Sequence, residues 1–212
     1  MRRRSFLALA AAAVLAPSLP ASVFAAAGPL DIEAVLNDPE APVAGNPNGD
    51  VTIVAFMDYN CPFCKRSTPA LARIVAEDGH IRLVYKDWPI LTEASVYGAH
   101  MTLAAKYQGK YEEVHAALMA IPGRGISQEK MEAAIRSSGV DVAQLDADQK
   151  THDGEISALL KRNLDQADSM GLEGTPVFLI GPFKVAAALD YDGFKRAVEK
   201  TRARQNGAAP AQ

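Results

Sequence analysis

The sequence predicts an α/β fold in which a βαβ unit and a ββα unit enclose a long helical block. Two apolar, β-branched runs with a helix-period segment between them indicate the first unit. The run Val177 to Ile180, a Gly-Pro turn and a final amphipathic segment indicate the second. Between the two units, apolar residues recur at the spacing typical of helices. The strands are expected to form one mixed sheet.

The βαβ unit begins with Val51 to Met57, an almost unbroken apolar run that predicts a strand buried on both faces. Ile81 to Lys86 predicts the second strand. The segment between them predicts a helix, because Pro62 suits a first helical turn and Gly79 suits a helix end. Pro69 lies inside that helix and predicts a kink.

Five apolar stripes predict the helices of the middle block. They are Val96-Leu103-Ala104-Tyr107, Tyr111-Val114-Leu118, Met131-Ala134-Ile135, Val142-Leu145 and Ile156-Leu159-Leu160-Leu164-Ala167. The Pro-Gly-Arg-Gly run at 122–125 interrupts the helical pattern, and Gly171 ends it. After Val177 to Ile180, a short partner strand is expected at Phe183 to Ala186 and a last helix around Phe194 and Val198.

The chain is thus expected to have five parts. They are a secretory signal (1–25), an N-terminal arm (26–50), an α/β domain (51–90 and 171–204), an inserted helical domain (91–170) and a flexible tail (205–212). The arm carries one or two predicted helical turns at Asp31 to Leu36, followed by turns rich in proline.

The signal prediction depends on three features in order: arginines at 2–4, an apolar run at 6–16, and small residues with a possible cleavage site at 23–25. The apolar run is shorter than the roughly 20 residues that a membrane span needs. An uncut anchor is the alternative, and two prolines after the run argue against it. Residues 3–7 also resemble a twin-arginine signal, although an ordinary signal can carry the same arginines. The expected location is the periplasm.

The charge pattern argues against nucleic acid as a partner. The whole chain has a formal net charge of −3, and its first 25 residues contain three arginines and no acid, which leaves −6 for the remainder. No basic patch or lysine run stands out. The remaining length of about 185 residues suits one domain.

The chain has only two cysteines, Cys61 and Cys64, and they lie one helical turn apart directly after the first strand. A disulfide that closes so small a ring adds little stability, so the pair needs another explanation. The free N–H groups and the dipole of the helix start favour the thiolate of Cys61. Cys64 lies inside the helix and is shielded. We therefore expect Cys61 to attack and Cys64 to resolve the mixed disulfide.

A zinc half-site and a structural bridge are the alternatives for this pair. Zinc needs about four ligands, and the chain offers no second cysteine pair. The four histidines are scattered along the sequence, at His80, His100, His115 and His152. The expected chemistry uses the thiols alone, so neither a metal nor a cofactor is predicted.

Thr175-Pro176 is a second candidate site, since a proline entering the strand at Val177 cannot donate to the sheet ladder. A cis peptide bond is one solution. Taken by itself, the dipeptide favours a trans turn, which is the commoner case.

The stretch Val54-Ala-Phe-Met-Asp-Tyr-Asn-Cys-Pro-Phe-Cys-Lys-Arg66 resembles the active site of the DsbA-like family of thioredoxin-fold thiol:disulfide interchange proteins. Gly171-Leu-Glu-Gly-Thr-Pro-Val-Phe178 resembles the cis-proline segment of the same family. The likeness covers about residues 45–204 and implies a thioredoxin-like fold with an inserted helical domain. It also implies that Pro176 is cis and that the Thr175 backbone pairs with an extended substrate peptide.

Two positions depart from the family pattern. Ala55 stands where many members carry a buried glutamate, which puts a proton-handling role there in doubt. The residues between the cysteines are Pro62 and Phe63, and they are expected to tune the active site. A histidine in place of Phe63 would stabilise the thiolate, whereas Phe63 offers neither a charge nor a side-chain hydrogen bond.

Three functions are compatible with these features. The first is a dithiol oxidase that donates its disulfide to the cysteine thiols of exported proteins and is reoxidised by a quinone-linked membrane partner. The second is a reductase or isomerase kept reduced by a membrane electron donor; the short arm favours a monomer over the dimers or trimers usual for isomerases. The third is a peptide-binding chaperone or metal-stress protein with incidental thiols.

Several other residues have weaker predictions. Asp58 and Lys86 are expected to be solvated surface charges, with redox tuning as the alternative. Tyr59 and Trp88 are expected either to rim a substrate groove or simply to pack. A copper site on two helices is an alternative for His100, Met101, His115 and Met119, but ordinary core and surface positions are favoured.

Overall fold

The computed structural model describes residues 31–207, so the predicted signal at 1–25 lies outside the described residues. The elements in chain order are α1 (Ile32–Leu36), β1 (Val43–Gly45), β2 (Val51–Met57), α2 (Pro62–Asp78), β3 (Ile81–Asp87), α3 (Glu93–Ala105), a 3₁₀ turn (Lys106–Gln108), α4 (Tyr111–Met119), α5 (Gln128–Arg136), α6 (Val142–Thr151), α7 (Asp153–Ser169), β4 (Val177–Ile180), β5 (Phe183–Val185) and α8 (Tyr191–Gln205). This is the predicted α/β fold with its helical insertion. In the described part of the chain, no helix is long and apolar enough to cross a membrane.

The strands form one mixed sheet in the order β1-β3-β2-β4-β5. β2 runs parallel to β3, with Val51 opposite Ile81 and Met57 opposite Asp87. β4 is antiparallel to β2, and β5 is antiparallel to β4. β2 is therefore the central strand, and the loop that follows it starts the active-site segment.

β1 was not predicted. Its three residues lie among prolines and turns, and they become a strand because they pair with the edge of β3, with Val43 opposite Val84. A strand this short is decided by its partner rather than by its own sequence.

Helix α2 begins and ends where its sequence predicts. Cys61 is its N-cap, Pro62 occupies the first turn, and Gly79 ends it with a φ of +69°. Glycine adopts this left-handed conformation without the steric penalty of a side chain. The helix continues through Pro69 as far as Asp78.

Side chains of β2 alternate between two apolar clusters, one on each face of the sheet. Ile53, Ala55 and Met57 belong to the larger cluster, which contains both cysteines and extends into the helical block. Val54 and Phe56 belong to the smaller cluster, which lies against α1 and the end of α7. The inserted helices thus share a core with the cysteine face of the sheet.

Two members of the predicted helical stripes are exposed rather than buried. Val96 is 42% exposed and Leu164 is 40% exposed. Both line a shallow groove between α3 and α7 together with Trp88 and Ile90. The helical period is correct there, but no other described element covers these two side chains.

Candidate active site

The two cysteines lie at the junction of β2 and α2, below the loop that precedes β4. The N–H of Cys64 donates to Sγ of Cys61 over 3.4 Å, and the Cys61 thiol lies 3.2 Å from the Thr175 carbonyl oxygen. No disulfide joins the pair in this structure. Cys61 is 3% exposed, whereas Cys64 is fully buried.

The two thiols differ in acidity. A hydrogen bond from the Cys64 side chain is the largest cause that lowers the pKa of Cys61 to about 6, and contacts with Thr175 and the N–H groups of Cys64 and Phe63 add to it. Burial opposes this shift. Burial is also the main cause that raises the pKa of Cys64 well above its ordinary value. At neutral pH, Cys61 is therefore largely a thiolate and Cys64 a thiol.

The loop before β4 contains the second candidate site. The Thr175-Pro176 peptide bond is cis, as the family resemblance implies. Pro176 is buried, and Thr175 is partly exposed. The loop therefore presents the Thr175 backbone beside Cys61, in reach of a segment bound there.

Of the two residues between the cysteines, Phe63 is the more prominent at the surface. Its side chain is 52% exposed. The Arg66 guanidinium lies over the Phe63 ring, 5.0 Å from its centroid. Pro62 starts the helix and is also exposed.

The expectation that Asp58 is a solvated surface charge is wrong, because its side chain is buried and the residue is 1% exposed. Its carboxylate accepts hydrogen bonds from the N–H groups of Asn60 (2.7 Å), Ile90 (2.9 Å) and Leu91 (3.0 Å), and from the Ser95 hydroxyl (2.7 Å). Four donors compensate for its burial. Asp58 therefore holds the loop before Cys61 against the loop before α3.

Asn60, the residue before Cys61, was not identified from the sequence. Its amide nitrogen donates to the Thr92 hydroxyl (2.8 Å) and the Ile126 carbonyl (3.2 Å), and its amide oxygen accepts from the Ile126 N–H (2.6 Å). These bonds fasten the cysteine loop to the helical block. Because the partners lie 32 and 66 residues away, no local pattern indicates them.

The expectation for Lys86 was also wrong, because this lysine is fully buried. Its Nζ lies 3.0 Å from Oδ2 of Asp38, and Arg162 approaches Oδ1 of the same carboxylate at 3.1 Å. Burial lowers the pKa of Lys86, and the Asp38 carboxylate opposes that shift. Lys86 pairs across the sheet with Phe56 and so shares the face of the smaller cluster, opposite the cysteines.

A buried polar network lies on the cysteine face, between β3 and α4. The hydroxyls of Tyr59 and Tyr111 donate to the two oxygens of Asp87, at 2.8 and 2.9 Å. Tyr59 also bonds Nδ1 of His115 at 3.1 Å. Burial raises the pKa of Asp87 to about 6 and lowers the pKa of His115 to about 4. Tyr59 and Trp88 are thus packed residues, at 1% and 3% exposed, although Trp88 also lines the shallow groove between α3 and α7.

Among residues 31–207, no group of three or more histidine, cysteine or acidic side chains is placed to hold a metal ion. His115, one of the residues weighed for copper, is engaged with Tyr59. His100 instead lies 3.6 Å from Asp153.

A groove of about 650 Å³ passes the cis-proline loop. Its walls are the start of α2, the loop that precedes β4, and β5 with the residues after it. The lining residues are Phe63, Arg66, Gly171, Leu172, Glu173, Gly174, Thr175, Pro176, Val177, Lys184, Ala186, Ala187 and Ala188. The groove runs past the Thr175 backbone, whose carbonyl oxygen lies 3.2 Å from the Cys61 thiol, so a segment in the groove would lie beside Cys61.

Comparison with known proteins gives a consistent result. The family described as thioredoxin matches residues 37–200. A thioredoxin-like oxidoreductase from Silicibacter pomeroyi DSS-3 is 38% identical, with 84% of this chain and 99% of that one covered and a TM-score of 0.75. The thiol-disulfide exchange protein alpha-DsbA2 from Wolbachia pipientis is 27% identical, with 79% and 90% covered and a TM-score of 0.73. Each likeness covers most of the chain, and not the cysteine motif alone.

Curated relatives include proteins named Na(+)/H(+) antiporter NhaA 1. The one from Mycolicibacterium gilvum (strain PYR-GCK) is 27% identical over 169 residues, which cover 78% of this chain and 27% of the relative. The chain therefore spans about a quarter of the length of these relatives. The antiporter name describes the whole of those proteins, whereas the match concerns one part of them.

Proposed function

Because this chain belongs to the thioredoxin family and is a DsbA-like thiol–disulfide oxidoreductase within it, we propose that it forms disulfide bonds in exported proteins. Cys61 and Cys64 are the catalytic pair of this proposal. Thr175 and Pro176 bind the client segment, and Pro62 and Phe63 tune the thiols.

One observation carries the direction of electron flow, namely the low pKa of Cys61 beside the high pKa of Cys64. A stabilised Cys61 thiolate lowers the free energy of the reduced protein relative to the disulfide form. A protein with a stabilised reduced form is a strong dithiol oxidant. The same thiolate is also a good leaving group from a mixed disulfide.

The reaction follows from these acidities. A client thiolate attacks Sγ of Cys61 in the Cys61–Cys64 disulfide, and Cys64 leaves and takes up a proton. A second client thiolate then attacks the client sulfur of the mixed disulfide, and Cys61 leaves as the stabilised thiolate. Two electrons pass from the client to the protein. A membrane partner, linked to quinone, would remove them and restore the disulfide.

The periplasmic location in this proposal is supported by the arginine, apolar and small-residue pattern of residues 1–25. An oxidising compartment is also where a dithiol oxidase finds its reduced clients. The same residues are compatible with an ordinary and with a twin-arginine signal, and the proposal concerns export by either route.

A reductase or isomerase is the second candidate, and Phe63 favours it. An aromatic side chain 52% exposed at this position gives the thiolate no side-chain hydrogen bond or charge. The local stabilisation then depends on Cys64, Thr175 and the backbone N–H groups of the helix start. This would shift the reduction potential toward that of reducing proteins.

Equilibration with glutathione buffers distinguishes the two candidates. We expect a reduction potential more oxidising than about −200 mV, the region of oxidising folding catalysts. A potential near about −270 mV, the value typical of thioredoxin, would instead assign a reductase. The Cys61→Ser protein serves as the control and should show no redox transition.

A further inference from the structure

The groove beside Cys61 carries an uneven set of charges. Arg66 lies on its helical wall and Lys184 on its β5 wall, while Glu173 is the single acidic residue that lines it. The lining is therefore net positive, whereas the chain after the first 25 residues has a net charge of −6. A positive site on a negative protein needs its own explanation.

Arg66 is held in place without being neutralised. Its guanidinium stacks over the exposed Phe63 ring, one turn earlier on the same face of α2. Within residues 31–207 it makes no ion pair with an acidic side chain. By contrast, Arg73 of the same helix is paired with Glu77 at 2.8 Å and lies 4.1 Å from the Tyr191 ring centroid. The donors of Arg66 therefore remain available.

Lys184 is also not neutralised. Its ammonium donates to the Met170 carbonyl at 3.1 Å, and in the described part of the chain it has no acidic partner. An ammonium has three donors, so two remain for a ligand. Glu173 likewise makes no ion pair with either cation, so the lining keeps one net positive charge.

Apolar surface lies between these charges. Phe63, Leu172, Val177 and the alanines at 186–188 line the same groove. An extended segment that lies along the Thr175 backbone would place alternate side chains toward the two walls. Small apolar side chains of the client segment would fit the apolar part of the groove. A carboxylate of the segment would suit the position beside Arg66, because the planar guanidinium can bond both carboxylate oxygens at once.

We propose that this groove selects client segments that carry an acidic side chain close to the reactive cysteine, and that Arg66 is the main specificity-determining residue. The inference rests on the proposed function, since it concerns the segment that reacts with Cys61. The effect is electrostatic, so it acts on the rate of encounter as well as on binding and weakens as salt increases.

The test uses three short peptides that have one central cysteine, blocked ends and either Glu, Gln or Lys two positions from it on both sides. The rate constant for reduction of the oxidised protein is measured for each peptide. Flanking charges also change the reactivity of the peptide thiol itself. We therefore define the Glu/Lys ratio as the rate constant with the Glu peptide divided by that with the Lys peptide, and compare this ratio between the parent and each variant.

We expect the Glu/Lys ratio to be about fivefold higher in the parent than in Arg66→Gln at low salt, and the difference to shrink at high salt. Arg66→Lys should keep most of the preference, because it keeps the charge. Glu173→Gln should increase the preference. Arg73→Gln, on the same helix but away from the groove, is the matched control and should leave the ratio unchanged.

An equal Glu/Lys ratio in the parent and in Arg66→Gln would overturn the inference, as would a fall of the same size in Arg73→Gln. Far-UV circular dichroism checks that the four variants remain folded, and the rate of reduction by dithiothreitol in each variant gives the effect of the substitution on the disulfide itself, by which the peptide rates are divided. The proposed function itself fails on a different result: peptide-driven exchange that persists in Cys61→Ser. The two failures are therefore distinguishable.

Discussion

The acidity of Cys61 depends on its neighbour more than on its own position in the helix. The largest cause of its low pKa is a hydrogen bond from the Cys64 side chain, ahead of the backbone N–H groups of α2. The two cysteines are therefore coupled, and a substitution of one changes the other. This coupling decides how the pair should be probed.

Thiolate absorbance measured against pH should show one transition near pH 6 in the reduced parent, because Cys64 stays protonated. In Cys64→Ala the donor is lost, so the pKa of Cys61 should rise. Cys64→Ser retains a hydroxyl donor and should lie between the two. A parent transition near the free value of about 8.5 would contradict the assignment.

The roles proposed for the two thiols predict different behaviour toward clients. Cys64→Ser lacks the thiol that can attack Cys61 from within and release a client that is not resolved by its own second thiol, so it should accumulate mixed disulfides between Cys61 and client proteins. Cys61→Ser has only the buried Cys64, which is fully covered and mostly protonated. Non-reducing electrophoresis of periplasmic extracts measures both. Equal amounts of trapped complex from the two variants would show that the roles are assigned wrongly.

At the scale of elements, the cysteine loop is held by side chains that also join the sheet to the helical block. Asp58 and Asn60 bond to the segment before α3 and to Ile126, and Tyr59 reaches Asp87 and His115. Three consecutive residues before Cys61 are thus fixed by partners from the inserted helices. The insertion is therefore part of the support of the active site.

The network of Asp87 and His115 predicts opposite pH dependences of stability. The folded-state pKa of Asp87 is raised to about 6, so ionisation of Asp87 favours unfolding. The stability that Asp87 contributes is therefore lost as pH rises from about 4 to about 6. The folded-state pKa of His115 is lowered to about 4, so protonation favours unfolding, and stability is lost as pH falls from about 6.5 to about 4.

Urea unfolding between pH 4 and 7 tests this pair of residues. Relative to the parent, Asp87→Asn should gain stability as pH rises, by up to about 3 kcal/mol over the range. His115→Gln should show the reverse trend. Each variant also loses fixed hydrogen bonds, so the slope against pH is the diagnostic quantity rather than the absolute difference. Parallel curves for parent and both variants would exclude titration of this network.

At the scale of the whole molecule, redox state and folding are linked. If the reduced protein is stabilised by the Cys61 thiolate, the thermodynamic cycle requires the reduced form to resist unfolding more than the disulfide form does. This holds even though a disulfide ordinarily stabilises a fold, since a ring of four residues constrains the unfolded chain little. A comparison of the stabilities of the reduced and the oxidised protein therefore tests the direction of electron flow.

Thermal and urea unfolding should show the reduced protein to be more stable than the oxidised one by at least about 1 kcal/mol at pH 7, where 1.4 kcal/mol corresponds to about 30 mV. The difference should shrink as pH falls from about 8.5, the free thiol value, to about 6 and should be small below that, because Cys61 is then protonated in both the folded and the unfolded chain. The Cys61→Ser, Cys64→Ser double variant should not respond to reductant. A more stable disulfide form would favour the reductase candidate.

Features that depend on residues near one another in the chain were predictable from the sequence. The central strand Val51–Met57, the helix from Pro62 to Gly79 and the placement of the cysteines at their junction all follow from local periodicity, proline and glycine. Helical spacing likewise located the inserted helices. The family resemblance implied the cis bond at Pro176, whereas the dipeptide by itself favoured a trans bond.

Burial and charge environment were decided by the tertiary structure. Asp58 and Lys86 look like surface charges in sequence, yet partners from distant segments, Ser95 and Asp38 among them, surround them in the interior. Asp87 and His115 have no local pattern that connects them to Tyr59. Periodicity reports which way a residue faces along its own element. Its desolvation, hydrogen bonds and pKa depend on which other elements pack there, and those contacts exist only in the folded chain.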